Sequence, residues 1–102
     1  MKLKELGQIR RYPKKTVRFE NKKSTIHRDD GGPAILCSDG YKAWVVNGKR
    51  HRDGDKPAIE DKYGKEWWVN GIRHRANNKP ALIMRAGEYK EWWVNGEYKR
   101  SN

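Results

Sequence analysis

Lys65-Glu66-Trp67-Trp68-Val69-Asn70-Gly71-Ile72-Arg73-His74-Arg75 decides the fold, because its pattern occurs once before and, in part, once after. The earlier copy is Lys42-Ala43-Trp44-Val45-Val46-Asn47-Gly48-Lys49-Arg50-His51-Arg52, and the later one is Lys90-Glu91-Trp92-Trp93-Val94-Asn95-Gly96. Asn47 and Asn70 stand 23 positions apart and Asn70 and Asn95 stand 25 apart, so a unit of about two dozen residues recurs. A unit that short cannot bury an apolar face alone, so its copies are expected to stack.

Working outward, each Trp-bearing run ends in Asn-Gly, the strongest short-range hairpin signal, because both central positions of a type I′ turn need positive φ. Upstream lie His27-Arg28-Asp29-Asp30-Gly31-Gly32-Pro33-Ala34-Ile35, His51-Arg52-Asp53-Gly54-Asp55-Lys56-Pro57-Ala58-Ile59 and His74-Arg75-Ala76-Asn77-Asn78-Lys79-Pro80-Ala81-Leu82. The polar loop turns the chain, and proline opens a strand at a place where no backbone donor is required. A second turn follows at Ser38-Asp39-Gly40, Asp61-Lys62-Tyr63-Gly64 and Ala86-Gly87-Glu88. Two strands and two turns per unit predict an all-β chain, a single-layer antiparallel meander of tandem two-stranded repeats with a basic N-terminal arm.

Side chains alternate across a strand. Trp44, Trp67 and Trp92 therefore share one face with Val46, Val69 and Val94, while Val45, Trp68 and Trp93 point to the other. In a single layer the second face needs a cover from the N-terminal segment, a second copy or a partner; otherwise Trp68 and Trp93 stay partly exposed.

Residues 1–26 read as a basic arm and a degenerate capping repeat, and residues 27–102 as the hairpin repeat domain. Leu3, Leu6 and Ile9, spaced by three, predict a short helical turn before Pro13. Thr16-Val17-Arg18-Phe19-Glu20 alternates as a strand, with Asn21-Lys22 where later units have Asn-Gly. Terminal units of such arrays are commonly atypical because they cap the stack.

The 102 residues carry 24 Lys and Arg against 13 Asp and Glu, a net charge of +11, of which +7 lies in residues 1–26. That excess favours anionic partners and promotes encounter more than specificity. Hydrophobic residues are 34% and charged ones 36%, so burial must come from the five Trp and five Tyr, each able to cover about 150–250 Å². Cys37 is the one cysteine, which excludes an internal disulfide framework and a thiolate metal cluster. Neither a signal peptide nor a run of about 18 apolar residues occurs, so a soluble cytoplasmic protein is expected, in the host-cell cytoplasm if the chain is viral.

His27, His51 and His74 are equivalent, but units two strands apart stand about 10 Å apart, too far for three rings to share one ion. Asp53-Gly54-Asp55 lacks the distal ligands of a calcium loop. The His-Arg-Asp tripeptide has none of a kinase's other parts, and Cys37 has no evident base. No catalytic residue, metal or cofactor is expected.

The unit resembles the MORN repeat, whose pattern is Tyr-x-Gly-x-Trp-x-Asn-Gly-x-x-His-Gly-x-Gly. Tyr41 and Tyr89 match its tyrosine, Trp68 and Trp93 its tryptophan, the three Asn-Gly pairs its turn, His51 and His74 its histidine, and Gly54 its last glycine. Ala43, Glu66 and Glu91 replace the first glycine, Arg52 and Arg75 the one after histidine, and Trp44, Trp67 and Trp92 are additional. The Trp-Trp-Val-Asn-Gly and His-Arg-Asp-Gly-x-x-Pro-Ala form is also similar to repeats in phage and large-virus proteins. The resemblance implies hairpin repeats and interaction with proteins or lipid headgroups, not catalysis.

The functional signal left is the interleaving of basic and aromatic side chains: Trp68 and Trp93 with Arg50, Arg52, Arg73, Arg75, Lys99 and Arg100 near the Asn-Gly turns, and Lys14 and Lys15 in the arm. Such a face fits an acidic protein partner bound or inhibited by a small phage or viral accessory factor. Single-stranded nucleic acid, stacked on aromatics with cations on its phosphates, is the alternative. Anionic lipid is a third reading, and a homodimer would also cover the face.

Overall fold

Asn47, Asn70 and Asn95 all adopt φ of 51°, and the glycines that follow, Gly48, Gly71 and Gly96, adopt 78°, 79° and 81°. These paired left-handed residues are what a type I′ turn demands, so every Asn-Gly in the repeat closes a hairpin. The protein is represented by a computed structural model that describes residues 15–102 throughout and residues 2–6 as backbone.

Nine strands form one antiparallel sheet in consecutive order: β1 (Lys2–Leu6), β2 (Thr16–Glu20), β3 (Ile35–Cys37), β4 (Lys42–Ala43), β7 (Ile59–Glu60), β8 (Gly64–Glu66), β11 (Leu82–Met84), β12 (Tyr89–Val94) and β13 (Glu97–Ser101). Two short ribbons complete the fold, β5 (Val45–Val46) with β6 (Lys49–Arg50) and β9 (Trp68–Val69) with β10 (Ile72–Arg73). No α-helix occurs among the described residues; Arg85–Gly87 makes a single 3-10 turn. The chain is therefore all-β, an open meander of hairpin strands. Among the described residues no helix is long and apolar enough to cross a membrane.

The ribbons arise at the first tryptophan of each unit. Trp44 N–H donates to Ala58 O in the large sheet (2.7 Å), whereas Trp44 O accepts from His51 N in the ribbon (3.0 Å). Trp67 repeats this with Ala81 O (2.8 Å) and His74 N (3.2 Å). The chain steps from sheet to ribbon at that residue because the loop from His51 to Lys56 separates the ribbon's return strand from the next sheet strand. β13 follows its turn without such a loop, so β12 stays one strand and the mismatch shrinks to a bulge between Trp92 and Trp93.

Register fixes the two faces. Cross-strand partners Arg18, Ile35, Ala43, Ile59, Glu66, Leu82 and Glu91 form one row, with Thr16 and Cys37 beside it. Ile35, Cys37, Ala43 and Ile59 are buried with Val45, and Phe19, Ile26, Tyr41 and Trp68 pack around them. The ribbon side chains Val45 and Trp68 thus cover the sheet beside them. Burial removes about 25 cal/mol per Å² of apolar surface from water, so these large rings matter more than the few aliphatics.

Ala34, Ala58 and Ala81 are fully buried and bonded on both sides; Ala58, for instance, donates to Glu66 O and accepts from Trp44 N. A larger side chain there would have to displace the neighbouring strands. The proline before each alanine costs the ladder no donor, and its carbonyl is used as described below.

At the N-terminus the structure corrects the expected helical turn. Lys2–Leu6 is a strand that pairs antiparallel with β2, Leu3 opposite Phe19 and Leu6 opposite Thr16. One helical turn is a costly nucleus, whereas the edge of β2 offers five residues a ready set of hydrogen bonds. Ile9 and the end of that pattern lie outside the described residues. Glu20, on the opposite end of β2, is buried and held by Arg18 at 2.8 Å.

Candidate arginine and tryptophan interface

Each face of the sheet carries its own row of rings and cations. On the first, Arg52 stacks over Trp44 with its guanidinium carbon 3.7 Å from the ring centroid, Arg75 over Trp67 at 3.8 Å and Arg100 over Trp92 at 3.7 Å. Arg28 lies over Phe19 at 4.1 Å, so Phe19 stands where later units have tryptophan. The arginines also donate to the proline carbonyls: Arg28 to Pro33 O (3.2 Å), Arg52 to Pro57 O (3.1 Å) and Arg75 to Pro80 O (3.0 Å). The indole N–H groups of Trp44, Trp67 and Trp92 donate to Gly31 O, Asp55 O and Asn78 O. This row clamps the loops to the sheet. Its charges are partly answered, by Asp30 for Arg28 (2.7 Å), Glu60 for Arg52 (3.1 Å) and Asp55 for Arg75 (2.9 Å).

The histidines work in the same layer. His27, His51 and His74 each accept a backbone N–H at Nδ1, from Asn47 (2.8 Å), Asn70 (3.0 Å) and Asn95 (2.9 Å), so each ties its loop to the next Asn-Gly turn. Nδ1 as acceptor fixes the proton on Nε2, which in His51 faces Asp53 at 2.8 Å. His51→Ala removes one such tie at a partly buried position; we expect a loss of about 1 kcal/mol in chemical denaturation, the net worth of a typical hydrogen bond.

The second row runs along the ribbons through directly opposed cross-strand pairs, Val45 with Arg50, Trp68 with Arg73 and Trp93 with Tyr98. Trp68 lies between Arg50 (5.3 Å) and Arg73 (4.9 Å), and Trp93 between Arg73 (5.1 Å) and Tyr98, whose ring meets it edge-on at 5.6 Å. Carboxylates rise to this row from the sheet. Glu66 Oε1 accepts from Trp68 Nε1 (3.0 Å) and Arg73 (2.7 Å), while Glu91 Oε1 accepts from Trp93 Nε1 (2.8 Å). Tyr89 donates its hydroxyl to Glu91 Oε2, and Arg73 reaches Glu91 at 4.0 Å. Trp68 and Trp93 are half-buried, unlike Trp44 and Trp67, which are buried.

No protein-family model, curated protein or solved structure matches this chain. What the site can do therefore follows from its own geometry. Of the residues expected to act together, the structure brings Trp68, Trp93, Arg50 and Arg73 into one row. It places Arg52, Arg75 and Arg100 on the opposite face in the clamping row. Lys99 sits on β13 near Glu97 (3.9 Å), Lys15 is exposed before β2, and Lys14 lies outside the described residues. Sequence reasoning missed Glu66 and Glu91; the signal was their position two residues before the second tryptophan, which in a strand means the same face.

Acid should weaken the array. The Arg75 hydrogen bond, with Lys79 adding to it, holds the Asp55 carboxyl below its ordinary 3.8. The Tyr89 hydroxyl, then the Trp93 indole and Arg73, holds Glu91 below its ordinary 4.5. Carboxyls depressed in the folded state contribute stability that is complete above their unfolded values and is lost as pH falls through the folded ones. The melting temperature should fall below about pH 4, where ordinary carboxylates take up protons. Asp55→Asn combined with Glu91→Gln should flatten that fall.

Proposed function

We propose that this chain is a non-enzymatic binding module, a tandem hairpin array of MORN-like type, that docks an acidic protein partner on its Arg50, Trp68, Arg73, Trp93 and Tyr98 row. The observation that carries this reading is that row itself, where partly exposed Trp68 stands between the Arg50 and Arg73 guanidiniums, Trp93 stands between Arg73 and Tyr98, and cross-strand pairing holds them at fixed spacing. Arginine and tryptophan are the residue types that dominate binding energy where partners meet. Stacking also holds a guanidinium flat with its donors directed outward, so less side-chain freedom is lost when an anion arrives. The net charge of +11 speeds encounter with any such partner.

A nucleic-acid reading rests on the same charge and rings and is separated by salt and by which ligand binds. Polyglutamate, a single-stranded oligonucleotide and anionic vesicles are titrated into the protein at several salt concentrations. The acidic-partner reading expects polyglutamate to bind and its affinity to fall about tenfold or more in Trp68→Ala or Trp93→Ala. Oligonucleotide binding that falls linearly with the logarithm of salt, with no binding of polyglutamate, would replace it with the nucleic-acid reading.

A further inference from the structure

Arg50 and Arg73 occupy the same place in successive units, yet only Arg73 has a carboxylate beneath it. Glu66, on the strand that leads into Trp68, accepts from Arg73 at 2.7 Å. The residue in that position one unit earlier is Ala43, buried between Ile35 and Ile59 in the same cross-strand row. Arg50 is exposed and stacked on Trp68 at 5.3 Å. Among the described residues it has no acid within ion-pair distance, although its counterpart has Glu66 at 2.7 Å and Glu91 at 4.0 Å.

We infer that Arg50 is the carboxylate-binding rung of the row, taking from the partner the acidic side chain that Glu66 supplies to Arg73 within the chain. This deepens the acidic-partner reading and rests on it. The chemistry favours a carboxylate over other anions because the chain itself shows the complete rung: arginine stacked on tryptophan and bonded to a glutamate. A planar carboxylate matches the guanidinium fork with two parallel N–H to O bonds. Trp68 holds that fork in place from one side, and Arg50 O is itself fixed by the Gly71 N–H at 2.8 Å. The partner segment is therefore acidic, extended along the ribbons, and places one Glu or Asp on Arg50.

The test is a titration of isotope-labelled full-length protein with tetraglutamate, observing the Arg50 Nε–H and Trp68 Nε1–H signals, repeated with inorganic phosphate and with a short single-stranded oligonucleotide. Saturable shifts at Arg50 and Trp68 with tetraglutamate are expected, with affinity weakened about tenfold or more in Arg50→Ala, the scale on which losing one member of a charge pair is felt. Ala43→Glu should supply the missing acid within the chain and suppress the Arg50 shift. Arg50→Ala, at an exposed position, keeps the test decisive if Ala43→Glu does not fold. Tetraglutamate binding that moves other residues and leaves Arg50 still would overturn this assignment while leaving the acidic-partner reading in place. Failure of tetraglutamate to bind at all sinks both. Shifts at Arg50 with phosphate or the oligonucleotide but not with tetraglutamate overturn the choice of carboxylate.

Discussion

Trp67→Ala should cost about 3–5 kcal/mol, the range for deleting a large buried ring. A domain of this size has about 5–15 kcal/mol in all, so much of its stability would go with one side chain. Three losses coincide at that position. Trp67 is buried, its indole N–H no longer holds Asp55 O (3.2 Å), and Arg75 loses the ring beneath it (3.8 Å) while still bound to Pro80 O. Trp67→Phe keeps an aromatic face for Arg75 and gives up the hydrogen bond and part of the buried area, so its cost should be nearer 1–2 kcal/mol. Urea midpoints at a shared m-value measure both, and equal costs for the two variants would show that the ring does not clamp the loop.

Gly64→Ala is the second large effect. A Cβ at Gly64 would stand 2.1 Å from Ile83 O and 3.0 Å from Met84 Cα, both of them backbone on the paired strand β11. A backbone neighbour cannot rotate aside, so β8 and β11 must separate where Gly64 faces Met84. We expect about 3 kcal/mol, the upper end of ordinary overpacking. Gly40→Ala provides the contrast. It has open space around it but a φ of 98°, so only backbone strain of about 1–2 kcal/mol applies. If Gly40→Ala proves the costlier of the two, the close approach of β8 to β11 is wrong.

These two sites also show what the sequence made legible. The Asn-Gly turns, the Pro-Ala strand starts and the alternation of Trp67 against Trp68 are local signals, and local geometry settles them. Arg52 over Trp44 is different in kind. Eight positions separate them, and only a loop folded back by the Pro57 carbonyl brings the guanidinium to the ring, which no periodicity encodes. For the same reason, Arg52, Arg75 and Arg100 read in sequence as neighbours of Trp68 and Trp93. Leu3 and Leu6 illustrate the opposite failure, since their threefold spacing was a local signal overridden by the open edge of β2. Glu66 and Glu91 were within reach. In a strand they share a face with the second tryptophan, yet a glutamate in a basic protein reads as solvated surface until its partner's position is known.

The two-row arrangement is tested most directly by following the five indole N–H resonances while pH is lowered from about 7 to 3, the interval in which carboxylates gain protons. Trp68 and Trp93 donate to Glu66 and Glu91, whereas Trp44, Trp67 and Trp92 donate to backbone carbonyls. The Trp68 and Trp93 resonances, bonded directly to carboxylates, should therefore move furthest with carboxyl titration, ahead of Trp44, Trp67 and Trp92. All five moving equally, or none moving, would contradict the placement of the tryptophans in two separate rows, one bonded to carboxylates and one to backbone carbonyls.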